Sequence, residues 1–312
     1  MAKFLVTGGA GFIGSHLVEE IVQRKEEVRV FDNFSTGFKG NLSKFTDQIE
    51  LIEGDLRDPE SCARAVEGIR VIFHQAAIPA VPRSVADPFL TNAANIDGSL
   101  NLLIAARDAG VKRLVFAGSS AVYGDHDEIP QYEELLPRPL SPYAVQKLTL
   151  EHYNTVFSKI YGFETVSLRY FNVFGPRQDP FSDYSAVIPK FISLMLEGRN
   201  PTTFGDGKQS RDFTYVSNVV RGNFLAAETP LAKGAIFNCA CGDRITLLEL
   251  VSVLNKILGT SIQPIFAPPR PGDIKDSQAE ISKIRENLGF MPVVSFEEGL
   301  ARTVAWYRDK KG

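Results

Sequence analysis

The sequence is poor in the residues that build disulfide and metal sites. Only 3 of its 312 residues are cysteine and 4 are histidine. Three cysteines cannot form a disulfide framework in a chain of this length, which favours a reducing compartment. The scattered histidines form no pair at the spacing of zinc ligands. We therefore expect a cytoplasmic protein that binds no metal.

Long apolar runs and an excess of one charge are lacking as well. No stretch of about 18 apolar residues is present, so a membrane span is not expected. The 34 basic and 37 acidic side chains nearly cancel, to a net charge of −3, which provides no broad basic surface for nucleic acid. A strand pattern begins directly after the first residues, which predicts that no signal peptide is present.

In the first half of the chain, short β-branched or aromatic runs alternate with longer amphipathic segments. Apolar strands separated by crossover-length helices predict an α/β protein with a doubly wound parallel sheet. The predicted strands cover residues 3–7, 28–32, 50–53, 71–74, 113–117 and 165–169. The predicted helices cover residues 14–23, 59–66, 94–109 and 142–158.

A glycine-rich segment follows the first predicted strand. Gly8, Gly11 and Gly14 allow a sharp turn and the close approach of a pyrophosphate to the N-terminus of the next helix. Asp32 ends the second predicted strand, 18 residues after Gly14, near the roughly 20 expected for a carboxylate on the adenosine ribose. An ordinary glycine-rich turn would not explain Asp32. Together these features predict a Rossmann-type sheet that binds NAD, because a carboxylate repels the 2′-phosphate of NADP.

Glycine and proline interrupt shorter elements in the second half of the chain. The change of rhythm after Asn172 predicts two interleaved units. We expect residues 1–171, with later pieces at about 212–240, to form the NAD-binding domain. Residues 172–211 and 241–312 are expected to form a smaller α/β domain for the substrate.

A tyrosine and a lysine share one face of a predicted helix. Ser141 and Pro142 are typical of a helix start, which places Tyr143 and Lys147 one turn apart. The lysine and the positive nicotinamide ring of NAD would lower the pKa of Tyr143 from about 10 toward that of a general base. Ser119 ends the fifth predicted strand, where it would face the ligand crevice and hydrogen-bond the reacting oxygen. An exposed pair on an amphipathic helix has the same spacing, so this interpretation depends on the NAD fold around it.

Motifs in the same order along nearly the whole chain resemble those of the extended short-chain dehydrogenase/reductase family, in particular its nucleotide-sugar 4-epimerases. They include TGGAGFIGSHL at 7–17, GDLRD at 54–58, SSAVYG at 119–124, SPYAVQK at 141–147, SRDFTYV at 210–216 and RPGD at 270–273. The resemblance implies an NAD-dependent isomerase that acts on a UDP-sugar, with Ser119, Tyr143 and Lys147 as the catalytic set. It also implies a homodimer formed through the helices at 94–109 and 143–158.

The resemblance further implies which residues bind the two ligands. The implied cofactor contacts are Gly8, Gly11, Phe12, Ile13, Gly14, Asp32, Asn33, Asp55, Leu56, Gln75, Ala76, Ala77, Asn95, Tyr143 and Lys147. The implied substrate contacts are Ser84, Ser119, Asn172, Val187, Arg211, Arg270 and Ser277. Arginine suits a diphosphate because its planar fork matches the phosphate oxygens.

The residues after Ser119 favour epimerisation over dehydration. Family members that eliminate water carry an acidic pair directly after this serine, whereas this chain has Ser120 and Ala121. An elimination needs an acid and a base beside the reacting carbons. Three alternatives remain open, namely a UDP-glucuronate 4-epimerase, a UDP-galactose-only 4-epimerase, and an NAD-binding sensor or scaffold protein without catalysis.

One position bears on the identity of the sugar. Epimerases of this family that are restricted to non-acetylated hexoses place tyrosine at a pocket position that corresponds to Ser277, which we call the gate position. A serine leaves room for an acetamido group, which predicts UDP-N-acetylglucosamine and UDP-N-acetylgalactosamine as substrates, with the non-acetylated pair as a further option. Pro79 departs from the lysine of galactose-type members, so part of their diphosphate contact is not expected here.

Overall fold

Strands and helices alternate through the computed structural model, which describes residues 3–79, 81–180, 186–269 and 275–311. The strands are β1 (Lys3–Thr7), β2 (Glu27–Asp32), β3 (Ile49–Glu53), β4 (Val71–His74), β5 (Arg113–Ser119), β6 (Glu164–Tyr170), β7 (Val173–Phe174), β8 (Thr202–Phe204), β9 (Ser210–Arg211), β10 (Thr214–Tyr215), β11 (Ile236–Cys239), β12 (Ile245–Thr246) and β13 (Ile265–Ala267). The helices are α1 (Phe12–Gln23), α2 (Pro59–Val66), α3 (Val81–Ala86), α4 (Pro88–Asn92), α5 (Gly98–Asp108), α6 (Pro142–Tyr161), α7 (Val187–Leu196), α8 (Val216–Glu228), α9 (Leu247–Leu258), α10 (Ser282–Leu288) and α11 (Phe296–Lys311). Within these ranges no helix is long and apolar enough to cross a membrane.

Seven parallel strands form the central sheet, in the order β11-β6-β5-β4-β1-β2-β3. This confirms the doubly wound α/β fold expected from the sequence. The chain order reverses between β1 and β4, where the carboxyl ends of the strands open a crevice. The six strands predicted from the sequence are all present, whereas β11 was not predicted as a strand.

The sheet is covered on both faces, which explains its nearly continuous apolar strands. Neighbouring residues of β1 belong to different cores, because successive side chains of a strand point to opposite faces. Val6 packs with α1, α8 and α10, whereas Leu5 packs with α2, α5 and α6.

The helix predicted over residues 94–109 differs from the observed one. The helical path starts at α4, where Asp87 caps the N-terminus by accepting a hydrogen bond from the Leu90 N–H at 2.9 Å. It passes through a π-helical turn (Ala93–Asp97) before α5. The wider turn contains the buried side chain of Asn95, which bonds the backbone of Ile78. A periodicity argument cannot detect such a non-local contact.

The residues after 172 divide between two places. Strand β11 extends the central sheet beside β6, and α8 packs against it. Helices α7, α9 and α11 instead surround a separate apolar cluster. Phe12 and Ile13, at the start of α1, pack against that cluster from the sheet side. The two parts of the chain therefore share the first turn of α1.

Candidate active site

A cavity of about 650 Å³ opens at the carboxyl edge of the central sheet. The cavity is lined by residues from the ends of five strands or from the turns that follow them, namely Gly8, Asp32, Gln75, Gly118 and Tyr170. The cofactor residues expected from the sequence that line it are Gly8, Gly11, Phe12, Ile13, Gly14, Asp32, Asn33, Asp55, Leu56, Gln75, Ala76, Ala77, Tyr143 and Lys147.

Each of the three glycines suits its position for a different structural reason. Gly8 has φ +67, and a Cβ there would lie 2.8 Å from the backbone of Ala76. A Cβ on Gly14 would lie only 2.1 Å from the carbonyl oxygen of Gly8. Gly11 is the N-cap of α1 and gives it no side-chain cap. The first turn of α1 thus reaches the cavity with backbone N–H groups that an anion can accept from.

The carboxylate of Asp32 holds the glycine loop in addition to lining the cavity. Its Oδ2 accepts the N–H of Ala10 at 2.9 Å, and its Oδ1 accepts the N–H of Phe34 at 2.8 Å. Burial raises the pKa of Asp32, while these two hydrogen bonds act in the opposite direction. Each oxygen retains a second acceptor position, so the carboxylate can also accept ribose hydroxyls.

Asp55 and Asn33 form a polar pair on the same wall. The Asn33 amide donates to Asp55 Oδ2 at 2.8 Å, and Arg57 donates to the same carboxylate at 2.7 and 2.9 Å. The hydrogen bond from Arg57 keeps the pKa of Asp55 well below its ordinary value. This carboxylate is therefore ionised and already occupied by partners from the protein.

Asn95 and Ser84 have positions that differ from those expected. Asn95 lies behind the cavity wall, where its amide bonds the backbone of Ile78 and the side chain of Gln146. Ser84 is fully buried and accepts the N–H of Tyr143 at 3.0 Å. Its hydroxyl thereby holds the first turn of α6, and its contact with substrate stays a prediction. Both side chains shape the site from behind.

Ser119, Tyr143 and Lys147 come together at the end of β5. Lys147 Nζ donates to the carbonyl oxygen of Ala117 at 2.7 Å, and the hydroxyl of Ser119 is close enough to that of Tyr143 to act on its pKa. The same Nζ lies 5.7 Å from the centre of the Tyr143 ring. Ser141 caps α6 as expected, accepting the Ala144 N–H at 3.2 Å. The predicted cluster therefore has the geometry of a hydroxyl base beside a cation.

The pKa values of this cluster differ from the sequence expectation. Burial raises the pKa of Tyr143, and the hydrogen bond from Ser119 only partly offsets it. Burial also lowers the pKa of Lys147 to about 8, although the charge of Glu151 opposes this. In the protein by itself burial thus dominates the pKa of Tyr143, and the lowering expected from Lys147 together with NAD stays a prediction. A further positive charge has to enter the cavity before Tyr143 can act as a base near neutral pH.

The expected substrate residues other than Ser84 and Ser119 lie in the C-terminal half of the chain. Asn172 is exposed just after β6 with φ +28, a conformation that asparagine tolerates better than most residues. Val187 begins α7, one residue after Ala186 on the cavity wall. Arg211 donates to the carbonyl oxygen of Lys275 at 3.0 Å, and Ser277 is buried next to Ser210. Arg270 lies outside the described residues.

Sequence reasoning missed several residues that line the cavity. Arg83, Tyr170 and Arg177 all line the cavity. Arg177 has φ +68 and forms an ion pair with Glu19 of α1, which fixes the segment after β7. A Gly-Pro-Arg turn is visible at 175–177 in the sequence, but its place beside the glycine loop depends on contacts between distant segments.

Comparison with known proteins identifies the family. The NAD dependent epimerase/dehydratase family model matches residues 4–240. The chain belongs to this family, which confirms the resemblance and the NAD cofactor expected from the sequence.

Three relatives match nearly the full length. The UDP-N-acetylglucosamine 4-epimerase of Methanobrevibacter ruminantium, in complex with UDP-N-acetylmuramic acid, is 41% identical with a TM-score of 0.95 over 99% of each chain. The Thermus thermophilus UDP-glucose 4-epimerase, in complex with NAD, is 40% identical with a TM-score of 0.89 over 98% of this chain and 99% of that one. A UDP-glucuronate 4-epimerase of Thermodesulfobacterium geofontis is 33% identical over 99% of this chain and 97% of its own. These relatives share C4 epimerisation and differ in the sugar.

Proposed function

We propose that this member of the NAD dependent epimerase/dehydratase family interconverts the C4 epimers of a UDP-hexose, with UDP-N-acetylglucosamine and UDP-N-acetylgalactosamine among its substrates. The observation that carries the proposal is the cluster of Ser119, Tyr143 and Lys147 at the wall of the NAD-type cavity. The relatives in which C4 is inverted match the whole chain. Fold alone would not support an activity, but this cluster supplies the chemistry that inversion at C4 needs.

The cavity fits NAD by the chemistry of its donors and acceptors. Backbone N–H groups at the start of α1 suit the pyrophosphate, and Asp32 suits the adenosine ribose. When bound, NAD would supply the hydride chemistry at C4 of the sugar, with removal from one face and return to the other. Each turnover therefore restores the oxidised cofactor, and we expect NAD to remain bound between turnovers.

The residues of the chain supply the proton chemistry. Tyr143 takes the proton of the 4-hydroxyl and later returns it, while Ser119 holds the reacting oxygen through its own hydroxyl. Lys147 places a positive charge near the tyrosine ring and favours its phenolate. The 4-keto sugar has to turn over between the two transfers, so binding energy belongs on the diphosphate rather than on the sugar. The sequence motifs assign that task to Arg211 and Arg270.

A panel of UDP-sugars tests the function directly. The protein as purified is incubated separately with UDP-N-acetylglucosamine, UDP-glucose and UDP-glucuronate, and the C4 epimers are separated chromatographically. We expect UDP-N-acetylgalactosamine to form from the first. Turnover of UDP-glucuronate alone would assign the alternative sugar. A protein that holds NAD but inverts none of the three would instead be the non-catalytic sensor or scaffold.

The small side chain at the gate position favours an acetylated sugar as substrate. Ser277 is buried at 6% exposure, and its N–H donates to the carbonyl oxygen of Ser210 at 3.1 Å. This bond places the gate position beside Arg211, the proposed diphosphate ligand. By the resemblance, a small side chain at this position leaves room for an acetamido group that a tyrosine ring would occupy.

We expect Ser277→Tyr to remove turnover of UDP-N-acetylglucosamine while turnover of UDP-glucose persists. The added ring would fill the space that the acetamido group needs. The smaller hydroxyl of glucose does not need that space. The measurement is kcat/KM for both substrates, and Ser277→Ala, which keeps the side chain small, is the matched control. Equal losses for the two substrates would contradict the gate.

Exposed apolar side chains support a homodimer. Helices α5 and α6 present Ile104, Val145, Val156 and Ile160 to solvent, with exposures of 39%, 47%, 42% and 71%. Phe89 of α4 is 89% exposed. Apolar groups concentrated on neighbouring helices are typical of an interface. We propose that these helices of two copies pack together.

Replacing Ile160 with aspartate should therefore shift the protein to a monomer. A charge that is harmless in water costs several kcal/mol, on the order of the desolvation penalty, once it is buried in an apolar interface. Light scattering coupled to size-exclusion chromatography measures the mass. Val293→Asp, at an exposed valine (57%) away from these helices, is the control. A wild-type mass equal to that of one chain would refute the dimer.

A further inference from the structure

A buried ion pair lies directly beneath the catalytic cluster. Glu151 follows Lys147 by one turn on α6 and therefore lies on the same face as Tyr143 and Lys147. Its carboxylate pairs with Arg169 of β6 at 3.0 Å (Nε to Oε1) and 2.8 Å (Nη2 to Oε2). The two side chains are 1% and 3% exposed. The pair extends the line of functional groups on α6 into the interior.

The carboxylate of Glu151 also reaches the strand end that carries Ser119. A Cβ on Gly118 would lie 3.3 Å from Glu151 Oε1, so the strand passes the carboxylate at close range. Gly118 lies between Ala117, which accepts the hydrogen bond of Lys147, and Ser119. Glu151 is therefore packed against the segment of β5 on which the catalytic cluster is assembled.

The charges that face Lys147 come from three elements. On α6 they are Tyr143 and Glu151. From β4, His74 faces Lys147, and burial together with the charge of Lys147 lowers the pKa of His74 to about 3, so its ring is neutral. From β6, Arg169 is engaged with Glu151 and packs over the ring of Tyr123 at 4.7 Å.

Arg169 also contacts a second acidic residue, Glu133, through the backbone. Its Nη1 donates to the backbone carbonyl of Glu133 at 3.2 Å. The carboxylate of Glu133 is turned to another partner, the N–H of Asn238 at 2.7 Å. Of the carboxylates just named, Glu151 is the one whose charge favours the protonated form of Lys147.

We propose that Glu151, paired with Arg169, is a positioning residue that favours the ammonium form of Lys147 and thereby sets the alkaline limit of activity. The inference rests on the proposed function of Lys147 as the cation beside Tyr143. Stability alone gives a poor account of the pair, because apolar residues of similar size stabilise an interior at least as well as a buried ion pair.

Replacing Glu151 with glutamine tests this through the proton equilibrium of Lys147. Loss of the carboxylate removes a charge that favours the ammonium form, so the pKa of Lys147 falls. We expect the alkaline limb of kcat to move to lower pH by about one to three units. The second readout is independent of activity: ¹³C NMR of protein labelled at the lysine ε-carbon follows the titration of Lys147, assigned from the spectrum of Lys147→Arg. The same downward shift is expected there.

A second buried pair offers a matched control. Arg113 and Glu164 are the first residues of β5 and β6, at the sheet edge remote from the cavity. They bond at 2.6 Å, with exposures of 4% and 25%. Glu164→Gln removes a carboxylate that is likewise paired with an arginine, but far from Lys147. It should therefore lower the unfolding temperature without moving the alkaline limb of kcat or the titration of Lys147. If Glu151→Gln fails to fold, Glu151→Gln with Arg169→Gln leaves no unpaired buried charge and should still lower the Lys147 titration.

The outcomes separate this inference from the proposed function. A Lys147 titration at the same pH in the Glu151 variants and in the wild type would overturn the role of Glu151. A wild-type protein that inverts no UDP-sugar would overturn the function. A lower Lys147 titration together with a displaced alkaline limb supports both.

Discussion

Replacing Tyr143 with phenylalanine will abolish epimerisation while the protein stays folded and retains NAD. The substitution removes one hydroxyl and keeps the ring that packs at the start of α6. General-base catalysis by a positioned side chain contributes about 10²- to 10⁴-fold, and the substitution removes that contribution. The measurement is kcat from separated C4 epimers, with NAD content determined after denaturation.

The control for this prediction is Tyr153→Phe, which removes a hydroxyl from the same helix, α6. Tyr153 packs against the apolar core that α6 forms with α2 and α5. Its activity should equal that of the wild type. If Tyr143→Phe retained more than about a tenth of the activity, far above the loss typical for a general base, the assignment would be wrong. A variant that loses its NAD as well would show that the hydroxyl holds the cofactor rather than the proton.

Gly14→Ala is expected to have the largest effect on the cofactor site. The new methyl group would lie 2.1 Å from the carbonyl oxygen of Gly8 and 2.9 Å from Cα of Gly9. Both are backbone atoms, so relief requires the glycine loop to move away from α1. Alanine gains about 1 kcal/mol of helix propensity over glycine, but overpacking of a buried site typically costs about 1–3 kcal/mol, and more where backbone has to shift. The net result is a less stable protein with a displaced phosphate loop.

Two measurements check this second prediction. Urea denaturation should show a lower free energy of unfolding, and the purified variant should contain little NAD. Gly40→Ala is the control, because a Cβ on Gly40 meets nothing within 4 Å. A Gly14 variant that matched the Gly40 variant in both respects would contradict the proposed packing of the loop.

The sequence predicted those features that depend on local pattern. The strands of the sheet follow from apolar runs, and the start of α6 follows from Ser141 and Pro142, since a cap acts within one turn. The cluster of Ser119, Tyr143 and Lys147 was predicted because strand ends and helix faces converge at the carboxyl edge of a parallel sheet.

The features that the sequence did not predict depend on partners distant in the chain. Ser84 binds the backbone of Tyr143, a contact that spacing along the chain did not reveal. Asn95 binds the backbone of Ile78, which was likewise not predicted. The sign of the Tyr143 pKa shift was missed for a related reason. It reflects the loss of water around the hydroxyl, which spacing along a helix does not reveal.

The packing of Phe12 and Ile13 has a consequence for how long the cofactor stays. These residues begin the helix that would carry the pyrophosphate, and they are also embedded in the apolar cluster of α7, α9 and α11. A hinge between the two parts of the chain would have to pull them out of that cluster before it could widen the phosphate end of the cavity. Cofactor escape is thus coupled to the exposure of apolar surface, which makes it slow. The fold itself favours an enzyme that recycles one dinucleotide over many turnovers rather than exchanging it with the medium.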